Sequence, residues 1–357
     1  MQSLFHVCGS LSKSDREAVV SSFWPSSKSA IVDFEVYFRY LEYALQELAD
    51  NPRISSHEFA TQTLGDIFRV KAAIERHRTA PQDRLVTLIQ TEEFPAANPN
   101  QVHRALDLTL HFWLTLNVCS ITARLPFFDS GSTVAPWERD CSLEEFVIRC
   151  FPAYGRPGKD SDTCIDPNFT AVNIEREAGI RIRWTSNLID HLLYDPLHRI
   201  LCIYAHKACA LGHTEQANCL IPKQVLDETL WTLDILFPYG DPKTLSFLAD
   251  KKQPLHRIHY PSVSTPSDLQ SFKIWRRRLE DLIAAFNALP VGYRQLRYNR
   301  NNPMQWWTFW LAALITLLTI VFGMISSITA LEQTRLAQKS YNLALAQASS
   351  SKSSSST

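Results

Sequence analysis

An uncharged stretch of 25 residues, 306–330, constrains this chain more than any other feature of its sequence. As an α-helix it would rise about 37 Å, enough to cross a hydrocarbon core of roughly 30 Å with some tilt. Its aliphatic residues and phenylalanines would contribute on the order of −5 kcal/mol of apparent insertion free energy, and no charge opposes them. The sequence therefore predicts a single transmembrane helix near the C-terminus. The residues expected to anchor it are Trp306, Trp307, Trp310, Leu314, Leu318, Phe322 and Ile325.

The charges that flank this stretch favour a cytosolic N-terminal body. A basic juxtamembrane segment, 291–305, contains Arg294, Arg297 and Arg300, called here the near-span arginines. A second basic cluster, Arg276, Arg277 and Arg278, lies further back. Beyond the span, Arg335 and Lys339 are partly offset by Glu332. Because cytosolic flanks carry the excess of Lys and Arg, we expect the body in the cytosol.

The position of the span predicts a tail-anchored protein. Only 27 residues follow Ala330, so the span would leave the ribosome at about the end of synthesis. We expect insertion after translation into the endoplasmic reticulum or another internal membrane. The sequon Asn168-Phe169-Thr170 would carry a glycan only if the body were lumenal.

A second apolar stretch, 105–123, is long enough to span a membrane but contains Asp107, His111 and Asn117. A mid-membrane Asp costs about 2.5 to 3.5 kcal/mol on insertion scales. We therefore interpret this stretch as a helix of the protein core.

Composition excludes several classes of protein. Lys+Arg 36 and Asp+Glu 36 are balanced, which argues against a polybasic nucleic-acid binder. The eight cysteines include no C-x-x-C pair and are spread over a long chain, so they are better interpreted as reduced thiols than as a disulfide scaffold or a zinc ribbon. Residues 1–20 lack the apolar run of a secretory signal peptide.

The periodicity of the remaining chain predicts a mainly α fold with a small β element. Apolar spacings of three and four predict helices near 34–48, 59–74, 222–238 and 267–290. Alternation over 179–185 and an apolar run over 200–205 predict two strands in a short βαβ-like segment. The predicted regions are a helical 1–125, a Pro-rich loop or linker 126–170, a mainly helical 171–290, the juxtamembrane 291–305, the span 306–330 and a tail 331–357 with a disordered Ser-rich end.

One part of the chain resembles a known group of proteins. The helix F-K-I-W-R-R-R-L over 272–279, with Q-W-W-T-F-W over 305–310 leading into the span, is similar to a large family of uncharacterised filamentous-fungal proteins. The resemblance covers roughly residues 171–330. It implies a fungal source, a soluble N-terminal body and one C-terminal span. Some similar genes lie near secondary-metabolite clusters, which suggests accessory roles. No functional residue can be transferred from the family to this chain.

Motifs with recognisable chemistry are sparse. His191, His198, His206 and His213 lie near Cys202, Cys209 and Cys219, but their spacings of seven or eight do not favour convergence on a metal. No catalytic motif is found, so no cofactor is predicted, and nucleic acid is not an expected partner. The basic cluster before the span is interpreted either as a solvated helix face or as a surface lying against an anionic membrane.

These observations leave two hypotheses. The first is an interaction or scaffold protein with membrane lipid and a protein as partners. The alternative is a membrane-tethered enzyme or accessory factor in fungal secondary-metabolite or lipid chemistry. A buried pocket with two or more convergent ionisable groups would favour the alternative, whereas an exposed apolar groove would favour the first.

Overall fold

A computed structural model describes residues 4–5, 10–52, 54–120, 131–154, 164–255, 258, 266, 268–288 and 303–353. The near-span arginines lie outside these residues, as do the side chains of 303–306 and 346–353. The chain divides into two compact units, Met1–Ala288 and Leu289–Thr357. We call the first unit the body.

The body is built mainly from helices, as predicted. Its first helices are α1 Lys13–Phe23, α2 Glu35–Asp50, α3 Leu64–Arg76, α4 Gln82–Glu92, α5 Pro99–Trp113 and α6 Leu143–Cys150. They are followed by α7 Ala171–Arg176, α8 Lys207–Thr214, α9 Lys223–Leu236, α10 Pro242–Asp250 and α11 Arg276–Asn287. Short 3-10 helices lie at Ile31–Phe34, Ser56–Glu58, Leu188–Asp190 and Leu269–Ser271.

A small β element completes the body. Strands β3 Arg181–Thr185 and β5 Ile200–Tyr204 pair in parallel, and β4 Tyr194–Asp195 pairs antiparallel to β5. The two predicted strands are therefore confirmed, and their parallel pairing fits the expected βαβ-like segment, with a 3-10 turn and β4 in the connection. A second parallel pair joins β1 Val118–Cys119 and β2 Ala135–Pro136.

The core joins elements from both sides of the Pro-rich segment. Trp24, at the end of α1, stacks on Phe34 with ring centroids 5.0 Å apart and meets the edge of Tyr37 on α2 at 5.1 Å. The same indole contacts His213 of α8 at 5.7 Å. The described parts of 1–125 and 171–288 thus share one packed interior.

Three helix boundaries differ from the predictions. The apolar stretch 105–123 is described as far as Ser120 and is largely buried there, as expected, but α5 ends at Trp113, and Thr115 adopts a positive φ of 53° that cannot continue a helix. The segment 126–170 contains α6, whose N-cap Ser142 and Glu145 form a capping box. The last body helix begins at Arg276 rather than near 267, because a buried carboxylate from α9 binds the backbone N–H groups of 273–275.

In the described part of the second unit, residues 303–353, the chain forms one continuous helix, α12 Pro303–Ser353. At 1.5 Å per residue its 51 residues extend about 76 Å. It continues well past the predicted span, so the Ser-rich end expected to be disordered is helical as far as Ser353. The segment Trp307–Leu345 is long and apolar enough to cross a membrane, with a mean hydropathy of 2.3 in its most apolar window.

Candidate functional site

The apolar surface of α12 has the character of a membrane span. Leu314, Ile315, Leu317 and Leu318 are all exposed, between 46% and 62%, so the apolar surface encircles the helix. A helix that is apolar all round belongs in a protein core or in a membrane. The predicted anchor residues whose side chains are described share this exposed surface: Trp307, Trp310, Leu314, Leu318, Phe322 and Ile325.

Several hydroxyl groups within α12 are hydrogen-bonded to carbonyls of the same helix. Thr316 Oγ1 donates to the carbonyl of Ala312, and Ser327 Oγ donates to that of Gly323, each at 2.8 Å. Thr319 Oγ1 likewise donates to Ile315 at 2.8 Å. Because each hydroxyl proton is bound within the helix, placing these residues in lipid leaves no donor without an acceptor.

The basic cluster at the start of α11 does not form one charged face. Arg276 is only 3% exposed, and its Nε donates to Glu280 at 2.7 Å. Arg278 Nη1 donates to the carbonyls of Ile189 and His191 at 2.6 and 2.5 Å. Arg277 is exposed. Two of the three charges therefore serve packing inside the body, so neither the solvated face nor the membrane-facing surface expected from the sequence describes this cluster.

The histidines and cysteines between 191 and 219 do not converge. Nδ1 of His191 accepts from the backbone N–H of Tyr204 at 3.2 Å, so its Nε2 carries the proton and donates to Thr232 Oγ1 at 2.7 Å. His213 Nε2 donates to the carbonyl of Trp113 at 3.1 Å, and His198 is exposed beside Asp195. Within the described ranges, no group of three or more His, Cys, Asp or Glu side chains is placed to hold a metal ion.

His206 is different from its neighbours. It is 2% exposed and lies two residues after the end of β5, immediately before α8 begins. Three tyrosine rings surround it, with centroids at 5.1 Å for Tyr40, 5.5 Å for Tyr204 and 5.8 Å for Tyr37. Neither of its ring nitrogens has a hydrogen-bond partner. Burial, together with the smaller effect of the Arg39 charge, lowers the pKa of His206 to about 3, so the imidazole is neutral at pH 7.

The tyrosines around His206 are held by hydrogen bonds to other groups. Tyr37 donates to the carbonyl of Phe112 at 2.8 Å, and Tyr204 donates to Thr115 Oγ1 at 2.7 Å. Tyr40 contacts His111 Nε2. Their hydroxyls are therefore engaged elsewhere, which leaves the His206 nitrogens without partners from this cluster.

A small pocket lies beside this histidine. It has room for about one water molecule and is open on one side. Its lining comprises Asp33, Val36, Tyr37, Ala205, His206, Lys207, Ala208, Pro254, Leu255 and Ile258. Lys207 is buried and its Nζ donates to Asp234 at 2.6 Å. The residues that line the pocket thus include four titratable ones, Asp33, Tyr37, His206 and Lys207, among mostly apolar neighbours.

Sequence reasoning singled out His206 but not its surroundings. Asp33 lies more than 170 residues away in the chain, so only the packing of α2 and its preceding turn against α8 brings it near. The position of His206 in the sequence nevertheless carries a usable signal: it follows the predicted strand 200–205 and precedes a helix, and ligands often bind beyond the carboxyl ends of parallel strands.

Two other polar features have structural roles. Asp190 binds Ser132 Oγ at 2.6 Å and the backbone N–H of Thr133 at 3.1 Å, fixing the segment that leads to β2. Asp107 accepts the backbone N–H of Ser120 at 3.0 Å, and burial raises its pKa to about 7. Asn168, the possible glycosylation site, is exposed just before α7.

No protein family, curated protein or solved structure matches the chain.

Proposed function

We propose that the chain is a single-pass membrane protein whose body lies on the cytosolic side of the endoplasmic reticulum or another internal membrane and binds a protein partner there. The observation that carries the proposal is the encircling apolar surface of α12 with its internally bonded hydroxyls. Exposing apolar surface to water costs about 25 cal/mol per Å², and a bilayer removes that cost. The near-span arginines support the cytosolic orientation.

Membrane fractionation tests the anchor. The full chain should remain in the pellet after an alkaline carbonate wash, while a variant lacking 306–357 should move to the supernatant. Retention of the truncated body in the carbonate-washed membrane would contradict the assignment of α12 as the anchor.

Glycosylation tests the orientation. The exposed Asn168 should stay unmodified if the body is cytosolic. A sequon appended after Thr357 should then be modified, which serves as the positive control for the same molecule. The reverse pattern would overturn the orientation. Insertion after translation, the tail-anchored route, is part of the same proposal and is tested by adding microsomes once translation has been stopped.

Partner binding is preferred to catalysis because the described part of the body offers little enclosed space for a substrate. Large side chains such as Trp24, Trp113 and Tyr204 are fully buried, and the pocket beside His206 is too small to enclose a substrate molecule. Proximity labelling from a tag on the N-terminus should enrich a reproducible set of membrane-associated neighbours. If labelling does not differ from that of a cytosolic control carrying only the tag, the interaction role is wrong.

The second candidate function is a membrane-tethered enzyme or accessory factor in fungal secondary-metabolite or lipid chemistry. The specific observation in its favour is the pocket that Asp33, His206 and Lys207 share. Deleting the gene and comparing extracted lipids and small metabolites with those of the parent strain tests this alternative. An unchanged profile, together with captured protein neighbours, would leave the interaction role as the better account.

A further inference from the structure

Strand β3 forms an open edge of the three-stranded sheet. Among the described strands the order is β3-β5-β4, so β3 is paired on one side only. The N–H of Arg181 donates to the carbonyl of Arg199 at 2.8 Å, and Thr185 bonds toward β5 in the same way. The backbone groups of successive residues in a strand point alternately to its two sides. The N–H and C=O groups of Ile182 and Trp184 therefore point away from β5.

The outward backbone groups of Ile182 and Trp184 have no partner among the residues that the structure describes. Both residues are half-buried, so the edge is partly accessible from outside. Together they offer two N–H donors and two C=O acceptors with the spacing of a β-ladder. Such a row is a template on which an extended segment can pair as an additional strand.

The side chains of β3 determine which kind of strand fits this edge. Ile182 and Trp184 pack against the core, and the indole of Trp184 stacks on the ring of Phe237 with centroids 5.5 Å apart. Arg181 and Arg183 are exposed on the opposite face of the strand. An added strand would therefore place every second residue beside apolar side chains and the others beside guanidinium groups.

The two arginines give the edge a positive charge. None of the ion pairs among the described residues involves Arg181. Arg183 Nη2 lies 3.1 Å from Sγ of Cys202, which holds its guanidinium over the sheet. Because opposite charges on neighbouring strands stabilise pairing and like charges oppose it, the residues of an added strand beside these arginines should be acidic.

A second copy of this chain fits the edge poorly. In antiparallel pairing of two β3 strands, two registers pair Ile182 with an outward-facing residue, either Ile182 or Trp184 of the second strand. The first register brings Arg181 opposite Arg183, and the second brings Arg183 opposite Arg183. Charged residues on an edge strand are a common means of preventing such edge-to-edge association. The occupant is therefore a segment of a different protein.

We propose that the open edge of β3 binds an extended acidic segment of a protein partner as an added antiparallel strand. Acidic residues of the segment lie beside Arg181 and Arg183 and alternate with apolar residues beside Ile182 and Trp184. This inference rests on the proposed role of the body in binding a partner, and it names the site and the chemistry of that partner. In antiparallel pairing the apolar residues exchange N–H···O=C bonds with Ile182 and Trp184, while the N–H groups of the acidic residues point away.

Fluorescence anisotropy with the full chain in detergent micelles at low salt tests the proposal. The probe is a labelled peptide, Glu-Val-Glu-Val-Glu, and its counterpart is Lys-Val-Lys-Val-Lys. We expect the acidic peptide to bind and the basic one not to bind. N-methylation of the two valines removes the N–H groups that face β3 and should weaken binding at least about tenfold. N-methylation of the second and third glutamates, whose N–H groups face away, should change the affinity less than about twofold.

Variants of the chain test the same edge. Ile182→Pro removes an outward N–H but no bond to β5, a position where an edge strand tolerates proline, and it should abolish binding of the acidic peptide. Arg181→Glu should weaken that binding about threefold to tenfold. Arg84→Glu, at an exposed arginine of α4, is the matched control and should bind as the parent does. Urea unfolding of each variant shows whether it is folded.

Three results would overturn the proposal: no binding of the acidic peptide, equal binding of the basic peptide, or equal binding of both methylated peptides and the unmethylated one. The methylation test uses the parent chain, so it stays decisive if Ile182→Pro does not fold. Proximity labelling separates this site from the general role of the body. If the parent chain enriches neighbours but the acidic peptide does not bind, the edge assignment is wrong and the partner-binding role stands. If the parent chain enriches no neighbours, the role itself is wrong.

Discussion

Glu228 should contribute more to the stability of the body than any ion pair on its surface. It lies on α9 and is fully buried at 0% exposure. Its two carboxylate oxygens accept the backbone N–H groups of Lys273 at 2.8 Å, Ile274 at 2.9 Å and Trp275 at 3.0 Å. Gln224 donates a fourth hydrogen bond at 2.9 Å. The carboxylate therefore binds the backbone that leads into α11 and fixes where that helix begins.

The expected loss of unfolding free energy can be estimated from the backbone donors that would lose their acceptor. A hydrogen bond to a charged acceptor contributes about 1.5 to 3 kcal/mol, and Glu228→Ala removes three such bonds from backbone donors, of which that of Trp275 is buried. Water entering the vacated space would recover part of this energy, so we expect a loss of about 3 to 5 kcal/mol. Glu228→Gln keeps one acceptor oxygen but replaces the other with an amide group facing donors. Its expected loss is smaller, about 1.5 to 3 kcal/mol.

Urea unfolding of the full chain in detergent, followed by tryptophan fluorescence, measures both losses. Glu47→Gln on α2 is the matched control, because Glu47 is half-buried on a different helix, and its free energy of unfolding should change by less than about 0.5 kcal/mol. If Glu228→Ala unfolds within about 1 kcal/mol of the parent, or Glu228→Gln is as damaging as Glu228→Ala, the capping argument is wrong.

Three further predictions test other parts of the chain. Gly212→Ala should destabilise the body by about 1 to 3 kcal/mol in urea unfolding, because the new Cβ would lie 2.8 Å from Cγ of the buried Trp24; unchanged stability would contradict the close packing. Because burial lowers the pKa of His206 to about 3 from 6.5, the unfolded chain binds a proton between those values that the folded chain does not, so stability rises with pH across that window. In His206→Phe, the slope of the free energy of unfolding against pH, measured between pH 4 and 6, should fall by the amount that corresponds to one bound proton. An unchanged slope would show that His206 is charged when folded. Replacing the three near-span arginines by Gln should produce a fraction of molecules glycosylated at Asn168, whereas Arg277→Gln should produce none; equal glycosylation in both would contradict the charge argument.

The elements that the sequence predicts well are those whose pattern is local. The stripe of Tyr37, Phe38, Leu41, Leu45 and Leu48 along α2 is buried as its spacing requires. The alternation over 179–185 likewise becomes β3, since a strand with one face packed shows period two whatever its partner. The apolar stretch in α12 needs no tertiary information, because its length and lack of charge suffice.

The features that escaped prediction depend on distant contacts. The start of α11 is set by Glu228, nearly fifty residues earlier, so the apolar spacing that predicted a helix over 267–290 placed its beginning too early. For α6 the local signal was present, since Ser142 and Glu145 have capping-box spacing, but the surrounding prolines favoured a loop. The pocket beside His206 needs the turn at Asp33, and no local pattern connects the two.

Because two arginines of the basic cluster are bound within the body, that cluster does not determine the orientation of the span. Charges orient a helix when they lie within about 15 to 20 residues of its ends, and Arg278 lies further than that from Trp306. In addition, Arg276 and Arg278 are bound to the body, so they cannot move toward a lipid surface without breaking the contacts to Glu280 and to the turn at Ile189. The comparison therefore reduces to the near-span arginines on one side against Arg335 and Lys339 on the other. The larger number of basic residues on the N-terminal side of the span still favours a cytosolic body. This excess comes from the residues that adjoin the membrane, and the arginines of α11 do not contribute to it.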